Sequence, residues 1–354
     1  MKRAAIIGTG AIAAAHAAAL RDRADLVAVV DVDDDRVRAF AEKWGSPHVY
    51  SSVSALLEAE TVDVVHLCTP PQYHAPMALE CLAADVTVLV EKPPALSLAE
   101  MDALVEAERG SAGHVATVFQ HRFGPAAIRL RRMTAAGQLG RPLMATCSTL
   151  WYRDDAYFAV PWRGSWDSEG GGPTMGHGIH QFDLLLSILG PWQEIRALAA
   201  RQARDVHTED VSLALVSFTS GAVAAVVNSV VSPRETSTLR FDYQHATVEV
   251  EHLYGYTDAD WSVTPAPGHE DILPLWQKEQ SDVTSGHRCQ VEAFYDAVDG
   301  GEPPPVSLAD ARNTMEFIAA LYASAFTGAP VRRGNIGPGN PFYTTMEGIG
   351  APWR

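Results

Sequence analysis

Gly8-Thr9-Gly10-Ala11-Ile12-Ala13 is the first group of residues whose types and spacing suggest chemistry, set between an apolar run, AAIIG, and a helix-period segment that reaches Arg21. Glycines in such a turn let the backbone come close to a phosphate. The helix start that follows offers free N–H groups and the positive end of its dipole. A GxGxxA spacing alone carries little weight. Here a strand precedes it, a helix follows it, and Asp31 ends the next strand about twenty residues on, which is the arrangement of a dinucleotide site. Asp31 is expected to accept hydrogen bonds from ribose hydroxyls. Together with Asp33, Asp34 and Asp35 it would repel a 2′-phosphate, so NAD is expected in preference to NADP. Arg36 softens that preference if it swings toward a 2′-phosphate, and is otherwise a solvent-exposed helical arginine. The cofactor contacts read directly from the residues are Gly8, Thr9, Gly10, Ala11, Ile12, Asp31 and Arg36.

The elements that must hold this turn follow from periodicity. From residue 1 to about 120, the short runs AAIIG, LVAVVD, VDVVHLC, VTVLV and HVATVF alternate with helix-period segments. Such alternation means parallel strands covered by helices on both faces, and the nearly continuous Val, Ile and Leu of the runs suits strands buried on both sides. After Gly124 the texture changes. A basic helix-like stretch, AAIRLRRMTAAG, leads into period-2 segments at 143–151, 211–218, 222–230, 238–243 and 246–251, and residues 285–299 and 307–327 read as helices. The expected fold is α/β: an N-terminal Rossmann doubly wound parallel sheet over residues 1–122, then a C-terminal α+β domain over 123–354 with a large open-faced, mostly antiparallel sheet. The Gly- and Pro-rich tail, GNIGPGNPFYTTMEGIGAPWR, lacks periodicity and is expected to be an extended arm or loop.

Composition bounds the partners. A formal net charge of −16 disfavours phosphate backbones and anionic lipid surfaces, so neither nucleic acid nor membrane is expected as a partner. The basic, apolar start passes for a signal peptide only until Gly8, Thr9 and Gly10 split it, and strand, turn and helix explain it better. Cys68, Cys81, Cys147 and Cys289 are scattered with no CxxC pair, which points to plain thiols in a reducing cytoplasm.

Further along, four segments fall in a telling order: Cys68-Thr69-Pro70 followed by His74, then Glu91-Lys92-Pro93, then Gln120-His121-Arg122-Phe123, then GGGPTMGHGIHQFD from Gly170 to Asp183. This order resembles the Gfo/Idh/MocA family, which includes glucose-fructose oxidoreductase and inositol dehydrogenase, over roughly residues 4–330. The resemblance implies a nicotinamide lying between the two domains and a lysine and a histidine at the substrate carbinol, here Lys92 and His180. It adds Thr69, Pro70, His74, Glu91, Lys92 and Gln120 to the cofactor contacts. The implied activity is hydride transfer between NAD and a carbinol or keto carbon of a sugar, cyclitol or related polyol.

The chemistry of both residues agrees with this. Alcohol oxidation needs a base for the hydroxyl proton while hydride leaves carbon, and the reverse needs an acid at the same place. Lys92 ends a parallel strand, where doubly wound folds put their ligands, and its charge can stabilise alkoxide character. A histidine side chain can both take and return a proton, and His180 opens an amphipathic helix, HQFDLLLSILG, with Asp183 three residues on to orient it. Arg122, Trp162, Arg163 and His177 join Lys92 and His180 as expected substrate contacts, since Trp faces stack on sugar C–H groups and Arg forks hold hydroxyls or carboxylates. Trp166 and His287 are weaker candidates.

One departure stands out: relatives acting on polyols usually carry Asp four residues before the histidine, and here that residue is Gly176. Either His177 takes over as a third catalytic group, or the reaction differs, for instance a redox-neutral sugar modification or glycoside cleavage that oxidises and re-reduces its substrate. A nucleotide-sensing relative without turnover is the other alternative, and the presence of Lys92 and His180 argues against it. His177 and His180 lack a convincing third ligand, so no metal is expected. The leftover face of the period-2 segments is expected to bury itself in a homodimer or homotetramer.

Overall fold

Six short runs rich in Val, Ile, Leu and Ala become β1 (Lys2–Ile7), β2 (Ala24–Val30), β3 (His48–Tyr50), β4 (Val64–Leu67), β5 (Thr87–Val90) and β6 (Val115–Thr117). In the computed structural model, which describes residues 1–353, they form one parallel sheet ordered β3-β2-β1-β4-β5-β6. The order reverses between β1 and β4. The carboxyl ends of those two strands therefore flank the topological switch point, where open α/β sheets bind ligands. All of β4 is buried, as its apolar run requires.

The described residues divide into two units: Met1–Val118 with His287–Asn313, and Phe119–Gly286 with the residues from Thr314 onward. The sequence reading assigned everything past residue 122 to a second domain. The fold instead returns 287–313 to the first unit, where Val291, Phe294 and Tyr295 of the His287–Gly300 helix share a core with Ala13, Ala17 and Leu20 of the Ala13–Leu20 helix. Periodicity marked a helix at 285–299 but carries no information about which surface it covers. The Ala-rich helix is what lets a second helix come close.

The second unit contains β7 (Pro142–Tyr152), β8 (Trp192–Ala200), β9 (Val211–Phe218), β10 (Val223–Ser229), β11 (Val231–Tyr243), β12 (Ala246–His252), β13 (Trp261–Pro265) and β14 (Val331–Arg332). They make an eight-stranded sheet ordered β13-β12-β11-β7-β10-β9-β8-β14, antiparallel except where β10 runs parallel to β7. β8, with its Glu194 and Arg196, shows little alternation and was not expected as a strand; its pairing with β9 makes it one. The Ile179–Leu189 helix corrects the amphipathic reading: all of it except Ser187 is buried. The tail is not a free arm, because Ile336, Phe342 and Met346 are buried and Asn340 caps the short Pro341–Thr344 helix. No described helix is long and apolar enough to cross a membrane.

Candidate functional site

In the first unit the glycine turn sits at the end of β1. Gly8 takes φ +86°, and a Cβ there would lie 2.8 Å from the Cys68 carbonyl, so a side chain is excluded where the ends of β1 and β4 meet. Gly10 has the opposite surroundings: a Cβ would meet nothing within 4 Å. Open space over this backbone suits a pyrophosphate. No side chain caps the Ala13–Leu20 helix at Ile12, and within its first turn Ala13 and Ala15 donate to the Gly10 and Ile12 carbonyls.

Asp31 accepts from the Thr9 amide and hydroxyl, both at 2.8 Å, and from Arg36 Nη2 at 2.6 Å. Burial pushes its carboxyl upward, but the bonds from Arg36, Thr9 and Asp33 outweigh this and bring it down to about 2. Arg36 is thus no idle surface arginine: it lies across Asp31, with Asp33 also 3.2 Å from its Nη1.

Lys92 follows β5, and the loop around it is braced from two sides. His74, almost wholly buried, places Nδ1 2.7 Å from the Pro93 carbonyl and Nε2 2.7 Å from the Thr69 carbonyl. Burial lowers the pKa of His74 and favours its neutral form, in which one ring N–H donates to one of these two carbonyls, so His74 sits as a strut between the Thr69 and Pro93 loops. Glu91 is also turned inward. Its Oε1 lies 3.0 Å from His16 Nε2 and 2.7 Å from His287 Nε2, and Oε2 accepts from the Lys92 amide at 3.2 Å. Burial alone would raise the Glu91 pKa, yet the two imidazoles hold it well below the usual carboxylate range.

The second unit carries the histidines. Thr174–Gly178 forms a π-helical turn that runs into the Ile179–Leu189 helix and presents His177 and His180, both buried. Such turns recur at functional sites because they re-aim side chains within a continuing helix. The His180 ring lies 5.1 Å from that of His121 and 5.8 Å from that of Tyr254. Gln181 Nε2 is 3.0 Å from His252 Nε2, and Gln120 donates to the Tyr254 hydroxyl at 3.0 Å. Burial lowers His252 to about 4, so it is neutral near physiological pH. Asp183, expected to orient His180, receives the Arg122 fork at 2.5 and 2.6 Å. Arg122 and Gln120 thus each make a polar bond within this cluster.

A second group surrounds His177. Its Nε2 is 3.3 Å from the Tyr157 hydroxyl, which also accepts from Arg163, and Arg163 reaches Glu169 Oε1 at 3.2 Å. The Arg163 guanidinium stacks 3.8 Å over Tyr157 and 4.2 Å over Trp162. Trp162 stays partly exposed, while Trp166 is buried against Tyr322 and Phe326 as a core residue. The unexpected member is Glu169, whose Oε1 would sit 3.5 Å from a Cβ at Gly176. A different element thus brings a carboxylate close to position 176. Its sequence signal was slight, one of two acidic residues, Asp167 and Glu169, before the glycine run, and Tyr157 and Tyr254 gave none.

The comparisons with known proteins agree with this picture. Residues 2–119 match the profile of the Gfo/Idh/MocA oxidoreductase family, NAD-binding Rossmann fold, and residues 127–252 match the Gfo/Idh/MocA C-terminal domain. The chain is 29% identical over 360 residues to D-glucoside 3-dehydrogenase of Escherichia coli K12, covering 93% of this chain and 97% of that one. It is 30% identical over 241 residues to myo-inositol 2-dehydrogenase of Thermotoga maritima, covering 64% and 68%. The WlbA dehydrogenase of Chromobacterium violaceum, solved with NADH and UDP-GlcNAcA, superposes with a TM-score of 0.83 at 26% identity, covering 95% and 97%. The chain belongs to the Gfo/Idh/MocA family of NAD-dependent oxidoreductases. The open backbone at Gly10 and the acceptor at Asp31 both fit that cofactor.

Proposed function

We propose that this enzyme oxidises or reduces a carbinol or keto carbon of a sugar, cyclitol or related polyol, with Lys92 and His180 moving the proton on the reacting oxygen. NAD, when bound, supplies the hydride acceptor. Gly8, Thr9, Gly10, Ala11 and Ile12 hold its phosphates and Asp31 its ribose, in preference to NADP. The observation that carries the reading is the bracing of Lys92: the loop that presents it is fixed by buried His74 on one side and by buried Glu91 on the other. A lysine left to hang on the surface would need neither. Lys92 donates to or accepts from the substrate oxygen and offsets its developing charge. His180 sits among His121 and Tyr254, where an imidazole can pass a proton. Glu169 and Arg163, beside His177 and Gly176, provide polar contacts for hydroxyls, with Trp162 as a stacking face.

The outer face of the sheet in the second unit leaves Leu198 70%, Leu215 65% and Val223 51% exposed. An apolar face of this kind suits burial against a second copy, in a homodimer or homotetramer. The buried free thiols Cys68, Cys81 and Cys147 suit a reducing compartment such as the cytoplasm.

The test is a panel of sugars, cyclitols and polyols with NAD, following absorbance at 340 nm and substrate loss by chromatography. Reduced cofactor forming in step with substrate loss supports the proposal. Substrate loss without it would replace the proposal with a redox-neutral reaction, and no change across the panel would point to the nucleotide-sensing alternative.

A further inference from the structure

The cluster around Glu91 contains more ligating groups than bracing a loop requires. His16 stands in the Ala13–Leu20 helix, Glu91 follows β5, and His287 opens the His287–Gly300 helix. Their donor atoms all lie within 4.8 Å of one another, and all three residues are buried. Both imidazoles point Nε2 at the same carboxylate oxygen, at 3.0 and 2.7 Å.

We propose that His16, Glu91 and His287 form a binding site for a divalent transition-metal ion, zinc being the best match. Two histidines and a glutamate are a recurrent three-ligand zinc set, with water filling the fourth position. A tetrahedral ion with ligands at about 2.0–2.1 Å holds its donor atoms roughly 3.3 Å apart; the two Nε2–Oε1 separations, 3.0 and 2.7 Å, lie just below that value and all three donors lie within 4.8 Å of one another.

The surroundings of His16 are a second, independent observation. A metal-bound histidine gives its other ring N–H to a partner that fixes the ring. His16 Nδ1 lies 2.8 Å from His66 Nδ1, and His66 Nε2 lies 3.0 Å from the Tyr295 hydroxyl. With the ion on His16 Nε2, one arrangement satisfies the chain: His16 Nδ1–H donates to His66, and His66 Nε2–H donates to Tyr295. His66 is wholly buried in β4, so this outer shell is built into the core. The ion would join two helices and the end of β5 at one point. Through Glu91 Oε2 and the Lys92 amide it would fix the start of the Lys92 loop.

The experiment uses the full chain without an affinity tag, stripped with chelator, loaded with zinc alone, desalted and assayed for metal by mass spectrometry. Cobalt loading supplies a visible spectrum that reports tetrahedral coordination. The expected result is about one retained zinc per chain and a tetrahedral cobalt band, both lost in His287→Gln and in His16→Gln. His269→Gln, which alters the stacked surface pair His245 and His269, should retain the metal. The site is overturned if the parent retains no zinc, or if His287→Gln retains as much as the parent. Should His16→Gln fail to fold, the parent and His287→Gln decide the matter. Metal content is read without turnover, so failure here leaves the proposed reaction untouched.

Discussion

Placing Asp at position 176 tests whether Glu169 has taken over the absent carboxylate. A Cβ there would meet Glu169 Oε1 at 3.5 Å, an ordinary contact, so the backbone accepts the side chain. The cost is electrostatic. Two carboxylates about 4 Å apart at an effective dielectric of about 20 repel by up to about 4 kcal/mol, less whatever Arg163 neutralises. One carboxyl of the pair therefore keeps its proton to higher pH in the folded Gly176→Asp variant than in the unfolded chain. A raised folded-state affinity for a proton stabilises at low pH and is lost as the pH rises. The variant's deficit should be small near pH 5 and grow toward pH 8, reaching at most a fall of roughly 5 °C in Tm for a chain of this length. Scanning fluorimetry of parent and variant across that range measures it. Gly176→Asp alone should not improve turnover, whereas Gly176→Asp combined with Glu169→Gln should remove the pH-dependent deficit and recover activity lost in Glu169→Gln. A single variant with a pH-independent Tm deficit, or with higher turnover than the parent, would refute the assignment of Glu169.

Other outcomes follow from the same geometry. Asp31→Ala should narrow the preference for NAD over NADP, and Arg36→Ala should widen it, as measured by fluorescence titration with each nucleotide. The folded Asp31 carboxyl is held at about 2, below its unfolded value, so its contribution persists above that range and fades only as the pH falls through it. NAD affinity should show no Asp31 titration between about pH 5 and 9. Lys92→Ala should lose on the order of 100-fold in kcat while NAD affinity changes far less. His74→Ala removes the strut between the Thr69 and Pro93 loops, leaving the Glu91 brace in place, and should cost on the order of 1 kcal/mol of stability by denaturant titration, together with part of kcat.

The dinucleotide half was legible because its signals are local. A strand, a glycine turn, a helix and an acidic residue at a fixed distance lie within Lys2–Asp31, and the side chain excluded at Gly8 and the open space at Gly10 are the physical reasons for that pattern. What was illegible is made by distant segments. His287 is 196 residues from Glu91, and the sequence gives no hint that they share an oxygen. The Arg122–Asp183 pair was equally hidden: a buried carboxylate on a largely covered helix needs a cation, and that cation comes from 61 residues away. Glu169 escaped notice for the converse reason: the motif position was read as empty, while the chain delivered a carboxylate from seven residues upstream. The Ile179–Leu189 helix looked amphipathic because His180, Gln181 and Asp183 are polar, and only the partners they meet make them interior residues.

The central claim is that hydride passes between a substrate carbon and nicotinamide. Its most direct test takes the substrate identified in the panel, deuterated at the reacting carbon, and follows the label by mass spectrometry in a single turnover with NAD. The account predicts that the deuterium appears on the reduced nicotinamide and that Lys92→Ala slows its transfer. Deuterium released to water, or retained in the sugar product with no labelled cofactor formed, would contradict it.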